Sequence, residues 1–344
     1  MTLDREPAWD GLRALAILSV VAFHTGAPIA PAGSRGVDVF LVLSGFLITK
    51  ILGSEHHQAG SVNLRAFYLR RWWRLGPELL IFLLYYAVLD PSILHRWTAT
   101  VWRDVAIGAG QVMNLFCMEW GGFTDINHLW TLSLEVQFYL VWPFALLALL
   151  RLEAGLASWI IFGAWLALTV FRAIGTAIFD HTMLYYAPWF HCTGLLLGSG
   201  LALSGIRLKG GGLALVALAF SASAFNHNSS PSLAVGIPLS ELAAAVAILD
   251  PPRFLRHPVI ALYGRMSYGI YLWHLLIVWI IGPNYGWALT FKVLIASTII
   301  GGLSYGFTLV RRLSPSNVSR APTRRHLRLD YVLAIAAAWV RVTQ

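Results

Sequence analysis

The sequence predicts an all-α polytopic membrane protein, a bundle of about ten transmembrane helices. Two observations lead there. Hydrophobic residues make up 58% of the 344-residue chain and charged ones only 12%, about half the charged fraction of a soluble domain, and the mean hydropathy is +0.67. The apolar residues are also gathered into runs close to the ~20 residues that cross a bilayer as a helix, and a helix satisfies its own backbone groups in hydrocarbon.

Eleven candidate segments follow in order: 11–28, 37–53, 77–90, 101–118, 132–150, 157–178, 187–204, 210–226, 233–249, 265–282 and 287–310. Proline, glycine and charged residues separate most of them, and no connection is long enough for a second domain. Residues 1–310 therefore read as one integral-membrane domain, and 311–344 as a basic cytoplasmic tail in which 331–340 is too short to span and suits an interfacial helix. Arginine placement sets the orientation. Arg65, Arg70, Arg71 and Arg74 put the loop after the second segment, and the N-terminus, in the cytoplasm. Arg311, Arg312, Arg320, Arg324, Arg325 and Arg328 do the same for the tail. Two cytoplasmic termini need an even number of spans, so one of the eleven is expected to be re-entrant or interfacial. The first suspect is 233–249, opened by Pro231 and interrupted by Pro238 and Glu241; the second is the short 77–90. The N-terminus is a poor signal peptide, because Arg13 and His24 interrupt its apolar core.

The net charge of +9 is almost all arginine, Lys50, Lys209 and Lys292 being the only lysines. In a membrane protein this balance suits anionic lipid, and no basic soluble module is present to bind nucleic acid. Cys117 and Cys192 lie in apolar segments and match neither a disulfide framework nor a metal-ligand spacing. No His-Glu-x-x-His, Walker loop or dinucleotide fingerprint occurs, so no metal is expected.

Five stretches carry ionisable or hydroxyl groups where a membrane segment tolerates them poorly. In the first segment Arg13 and His24 are eleven residues apart, about 16 Å along a helix and about 20° around it. They share one face, as a substrate path with a titratable base at its far end requires. Asp38, in Gly36-Val37-Asp38, either meets the dipole at the start of its helix or orients His24; Ser44-Gly45 reads as a small-residue site for close helix approach. Arg70, Arg71 and Arg74 fall on one helical side. They either anchor the segment at the cytoplasmic surface or form a phosphate clamp, for which the arginine fork is suited. In His128-Leu129-Trp130-Thr131-Leu132-Ser133-Leu134-Glu135-Val136-Gln137-Phe138-Tyr139, a continuous helix puts His128, Glu135 and Tyr139 on one face. Glu135 is the candidate to orient a histidine or bind a hydroxyl. Finally Ser267, Tyr271 and His274 follow i, i+4, i+7, either as part of an aromatic belt with Trp273 or facing substrate. Arg172, Glu241 and Lys292 read as paired or snorkelling groups.

Together these stretches resemble the acyltransferase-3 family of integral-membrane acyltransferases, which O-acylate bacterial cell-surface carbohydrates and other exported molecules. Gly11-Leu12-Arg13 with His24, Gly36-Val37-Asp38 running to Ser44-Gly45-Phe46, Arg70-Arg71-Trp72-Trp73-Arg74 before Pro77, the His128–Tyr139 stretch, and Ser267-Tyr268 with Tyr271-Leu272-Trp273-His274 occur in the family's order, from residue 9 to about 310. The resemblance implies a multi-pass protein of the bacterial inner membrane with an acyl-coenzyme A donor, acetyl-coenzyme A first, reached from the cytoplasm. No cofactor is bound permanently, and the acceptor is a lipid-linked or surface carbohydrate such as lipopolysaccharide or exopolysaccharide. It also implies that Arg13 and His24 are an essential pair and that Arg71 with Arg74 forms the donor site. The chain departs from the commoner family pattern at Phe190-His191-Cys192-Thr193-Gly194, where many members carry an arginine and an acid, and its length resembles the single-domain type.

The candidate catalytic residues are thus His24, Arg13, Glu135 and Asp38. The candidate substrate- or donor-binding residues are Arg70, Arg71, Arg74, Trp130, Ser133, Tyr139, Tyr271 and His274. His24 serves either as general base or as first acceptor of the acyl group; an imidazole with its usual pKa near 6.5 suits both. The rival from another class is a transporter of acyl groups or polysaccharide units that makes no bond, against which the lack of an inverted repeat counts.

Overall fold

The computed structural model describes residues 6–93, 98–121, 124–153, 155–282 and 284–313. The tail helix expected at 331–340 lies outside the described residues. Among them every regular element is helical. In order they are α1 (Pro7–His24), α2 (Gly36–Ala59), α3 (Leu64–Ile93), α4 (Thr98–Ala109), α5 (Met113–Trp120), α6 (Trp130–Leu149), α7 (Leu156–Gly175), α8 (His181–Tyr186), α9 (Pro188–His191), α10 (Thr193–Ser204), α11 (Gly211–Ala224), α12 (Ile237–Leu249), α13 (Pro258–Arg265), α14 (Ser267–Ile281) and α15 (Trp287–Leu313). Residues up to Tyr305 form one compact unit, and Gly306 begins a second.

Local chemistry sets several boundaries. Pro7 occupies the first turn of α1 and the Glu6 carboxylate accepts from the Ala8 amide, the usual proline and acid start. Arg256 grips the same carboxylate at 2.8 Å and holds its pKa below the ordinary glutamate range. The expected span 101–118 is instead two short helices, α4 and α5. Gln111 between them adopts a left-handed φ of 55°, which no helix can pass through. The expected 233–249 segment is not interrupted at Pro238. Residues Ser232–Gly236 form a π-helical turn that runs straight into α12, so Pro238 falls in a first turn where its missing N–H costs little.

Among the described residues five helical stretches are long and apolar enough to cross a membrane: Gly33–Ala59, Asn127–Leu149, Leu156–Gly175, Ser232–Leu249 and Trp287–Phe307. The pair α13–α14, bent by 62°, raises this to six. The architecture is that of a multi-pass, all-helical membrane protein. Two of the five are interior, Gly33–Ala59 being 67% and Ser232–Leu249 61% buried, against 28–33% for the other three. The outer helices present apolar faces to their surroundings, which is stable only in lipid.

Contact without a hydrophobic driving force relies on close backbone approach. Helix α2 packs extensively along α10. A Cβ on Gly45 would collide with the Leu195 carbonyl oxygen, and one on Gly198 with the Val42 carbonyl oxygen. Gly45 is therefore a close-approach residue, whereas its neighbour Ser44 turns to a cavity described below. This crossing predicts that Gly198→Ala lowers unfolding stability in detergent by about 1–3 kcal/mol, as overpacking does. Gly163→Ala in α7, where a Cβ meets nothing within 4 Å, is expected to leave the melting temperature unchanged or raised. Equal melting of the two variants would contradict the packing described.

Candidate active site

Helices α1, α2, α3, α6 and α14 enclose a cavity of about 120 Å³. Its charged lining is Arg13 from α1, Arg71 and Arg74 from α3, and Glu135 from α6, three guanidinium groups against one carboxylate. Arg13 Nη1 is tied to Asp10 Oδ1 at 3.0 Å. The Arg71 guanidinium lies over the rings of Phe67 and Tyr139, 5.7 and 5.6 Å from their centroids, and its buried Nε has no hydrogen-bond partner. The Tyr139 hydroxyl donates to Glu135 Oε2 at 3.1 Å and lies 2.5 Å from Ser44 Oγ. Apolar residues of α2, among them Phe40, Leu41, Leu47 and Ile48, line one wall. An arginine-rich pocket beside an apolar wall matches a ligand with a phosphate head and a thin uncharged arm.

Two hydroxyls on the cavity wall, those of Tyr271 and Thr131, meet at what we call its floor. Tyr271 donates to the His128 carbonyl at 2.5 Å, and Thr131 Oγ1 is 2.5 Å from the same phenolic oxygen. Behind this floor three histidines meet. His274 Nε2 lies 3.2 Å from His24 Nδ1. The His128 ring stands edge-on to His274, 5.3 Å between centroids. His24 does not line the cavity, whose wall carries Tyr271 and Thr131 as well as the arginines.

The structure redistributes several expected site residues. His128 belongs to a single 3-10 turn, Asn127–Leu129, before α6, and its Nε2 donates to the Leu272 carbonyl at 3.0 Å. It therefore joins the histidines, while Glu135 faces the cavity. Neither Glu135 nor Asp38 orients His24, whose ring meets Val20 O and His274. Asp38 accepts instead from His191 Nε2 at 3.0 Å and from Arg35 at 3.4 Å. Both partners are buried, so the carboxylate is spent neutralising a guanidinium. Arg70 points out of the cavity to Glu55 at 3.4 Å, because a residue one step before Arg71 lies about 100° around the helix. Trp130 packs on the rings of Tyr185, Tyr186 and His191 rather than on the cavity. Ser133 bonds the Leu129 carbonyl and accepts from the Met113 amide, a link between α5 and α6. Arg13, Arg71, Arg74, Glu135, Tyr139 and Tyr271 do share the cavity wall, with His274 just beyond it.

Sequence reasoning passed over a second buried network. Arg35, in the 3-10 turn Gly33–Arg35, bonds both the carbonyl and the hydroxyl of Ser232. Arg172, read from the sequence as merely paired or snorkelling, is fully buried. It donates to the carbonyls of Leu233 (3.1 Å) and Phe190 (2.6 Å) and to Thr193 Oγ1 (2.9 Å). Thr193 passes the contact on to Glu241, which also accepts from Trp165 Nε1 at 2.8 Å. The only hint in the sequence was the charge itself within an apolar run. Among the described residues no group of histidine, cysteine and carboxylate side chains is placed to hold a metal ion.

Comparison with known proteins bears on this geometry. The family described as an acyltransferase domain, acyltransferase-3, matches residues 6–310. The chain belongs to that family. Among its curated relatives, the Staphylococcus aureus (strain COL) protein named Putative O-acetyltransferase SACOL0978 is 28% identical over 79% of this chain and 50% of its own length. The peptidoglycan O-acetyltransferase OatA of Listeria monocytogenes is 29% identical over 80% of this chain and 50% of its own. A Bacillus subtilis protein named Putative peptidoglycan O-acetyltransferase YrhL is 29% identical over 88% and 54%. The chain thus spans about half the length of these relatives. No solved structure matches it.

His191 supplies one partner of Asp38 and Arg35 the other. The network assigns Asp38 to holding Arg35. Asp38→Ala is expected to lower unfolding stability by about 3–5 kcal/mol, the cost of stranding a buried charge. Asp38→Leu combined with Arg35→Met is expected to recover most of that loss, read by thermal melting in detergent. A native melting curve for Asp38→Ala with transfer abolished would instead place Asp38 in the chemistry.

Proposed function

We propose that the protein is an integral-membrane O-acyltransferase that moves an acyl group, acetyl first among candidates, from cytoplasmic acyl-coenzyme A to a hydroxyl of a cell-surface carbohydrate. The observation that carries this reading is the arginine-lined cavity whose floor backs onto His24. Arg71 and Arg74 offer planar forks to the donor's phosphates, and the unpartnered Nε of Arg71 is a donor awaiting an acceptor. The pantetheine arm follows the apolar wall of α2 and passes where Tyr271 and Thr131 meet, so their hydroxyl pair has to part for the acyl group to reach His24. There the imidazole takes the proton of the acceptor hydroxyl, or accepts the acyl group first; both routes use one ring lone pair.

The relatives' names make peptidoglycan the first acceptor to test; lipopolysaccharide and exopolysaccharide come after it. The proposal includes about ten spans in the bacterial inner membrane, with the arginine end of α3 and both termini in the cytoplasm, as the positive-inside rule favours. A donor entering from that side meets Arg71 and Arg74 first. His24, eleven residues beyond Arg13, then lies toward the opposite face where an exported acceptor arrives.

Two measurements test this. In membranes supplied with acetyl-coenzyme A, His24→Ala is expected to reduce ester-linked acetyl on isolated peptidoglycan, quantified by mass spectrometry, to the level without the gene. Full acetylation by that variant sinks the mechanism. Arg71→Ala is expected to raise KM for acetyl-coenzyme A by roughly tenfold to a hundredfold, the worth of a charge-assisted hydrogen bond, with a smaller effect on kcat.

A further inference from the structure

Three histidines from three separate parts of the chain meet behind the cavity floor, and each bonds a backbone carbonyl. His24 Nδ1 bonds Val20 O at 3.0 Å, His128 Nε2 bonds Leu272 O at 3.0 Å, and His274 Nδ1 bonds Tyr271 O at 2.6 Å. A carbonyl oxygen only accepts, so the bonded nitrogen carries the hydrogen. In a neutral imidazole the other nitrogen is then the lone pair. For His274 this leaves Nε2 as an acceptor, and that atom is the one 3.2 Å from His24 Nδ1. The His24 hydrogen is shared between Val20 O and His274 Nε2, and the lone pair of His24 falls on its Nε2.

We propose that His274 is the positioning residue of the transfer step: together with Val20 O its Nε2 orients the Nδ1–H of His24, and it supports the imidazolium that forms when His24 Nε2 takes a proton. This rests on the reading of His24 as the reacting histidine. It replaces the expectation that His274 itself faces substrate. The logic is that of the residue behind the histidine in a hydrolase triad, with a neutral imidazole in place of a carboxylate. Behind a base buried between membrane helices, a neutral acceptor avoids the cost of a second charge. The His274 ring is itself fixed, by its bond to Tyr271 O and by the edge-on His128 ring. Tyr271 thereby connects the two compartments: its hydroxyl lines the donor cavity and its carbonyl sets the tautomer of His274.

In the direct route the step balances as follows. The acceptor hydroxyl oxygen bonds to the thioester carbonyl carbon while its proton moves to His24 Nε2. The carbon–sulfur bond breaks with its electron pair on the coenzyme A sulfur. The proton then passes from Nε2 to that thiolate, leaving ester and free thiol. Throughout, His24 Nδ1 keeps its hydrogen, directed at His274.

The test uses the full-length protein in lipid nanodiscs with acetyl-coenzyme A as donor and soluble muropeptides as acceptor. His274→Ala is expected to lower kcat by about a hundredfold, within the range that proton transfer contributes, while KM for acetyl-coenzyme A changes by less than about twofold. His274→Gln, whose amide oxygen can accept from Nδ1–H, is expected to recover at least about tenfold over His274→Ala. Nitrogen NMR of labelled histidine should show the His24 Nδ1–H resonance displaced in His274→Ala, where Val20 O is left as its one acceptor. A kcat for His274→Ala within about threefold of the parent, a loss confined to KM, or a glutamine variant no better than alanine each overturns the proposal. If His274→Ala does not fold, the glutamine variant decides: a kcat within about tenfold of the parent supports it, and a folded glutamine variant as inactive as His24→Ala refutes it. Full activity of His24→Ala removes the underlying reading, whereas an inactive His24→Ala beside a fully active His274→Ala removes this inference alone.

Discussion

A guanidinium inside a membrane bundle has to find its hydrogen-bond acceptors from protein, and the middle of this molecule is arranged to supply them. Arg35 and Arg172 take the carbonyls of Ser232 and Leu233, two successive residues of the π-helical turn that opens the interior span ending in α12. A π turn shifts the backbone register and brings carbonyls within reach of outside donors. Asp38 supplies the carboxylate opposite Arg35, and Glu241 is reached from Arg172 through Thr193. These bonds tie α2, α7, α10 and the π turn into one polar knot. Asp38 and His191 are consumed in it.

The consequence for function is a division of labour among charged groups. With Arg35 and Arg172 engaged in structure, the arginines facing the cavity are Arg13, Arg71 and Arg74. Arg13 is tethered to Asp10. Arg71 keeps its Nε donor unused, as Arg35 does at Nε and Arg172 at Nη2, but of the three only Arg71 faces the cavity.

Two helices carry both halves of the apparatus. Helix α1 bears Arg13 at the cavity and His24 among the histidines, about 16 Å apart on a rigid rise. Helix α14 bears Tyr271 at the floor and His274 just behind it. On the proposed reading the donor cavity and the base are therefore held at a fixed separation by the same two helices.

What was legible in the chain were quantities that depend on neighbours in sequence. Apolar run lengths revealed a helical membrane protein, because a span must satisfy its own backbone. The 3.6-residue period placed Arg13 over His24, Arg71 beside Arg74, and Tyr271 near His274. The helix break at Gln111 was not legible, since a left-handed residue other than glycine leaves little local signature. Nor was the partner of Asp38, which sits 153 positions away at His191. The same holds for the meeting of His24 with His274, 250 positions apart, and for the cavity floor. The sequence by itself determined the class of fold and which residues were costly enough to matter. Only the tertiary structure decided which of those costly groups neutralise one another and which face the cavity, because hydrogen-bond pairing across helices depends on how the faces dock and not on the period of any one of them.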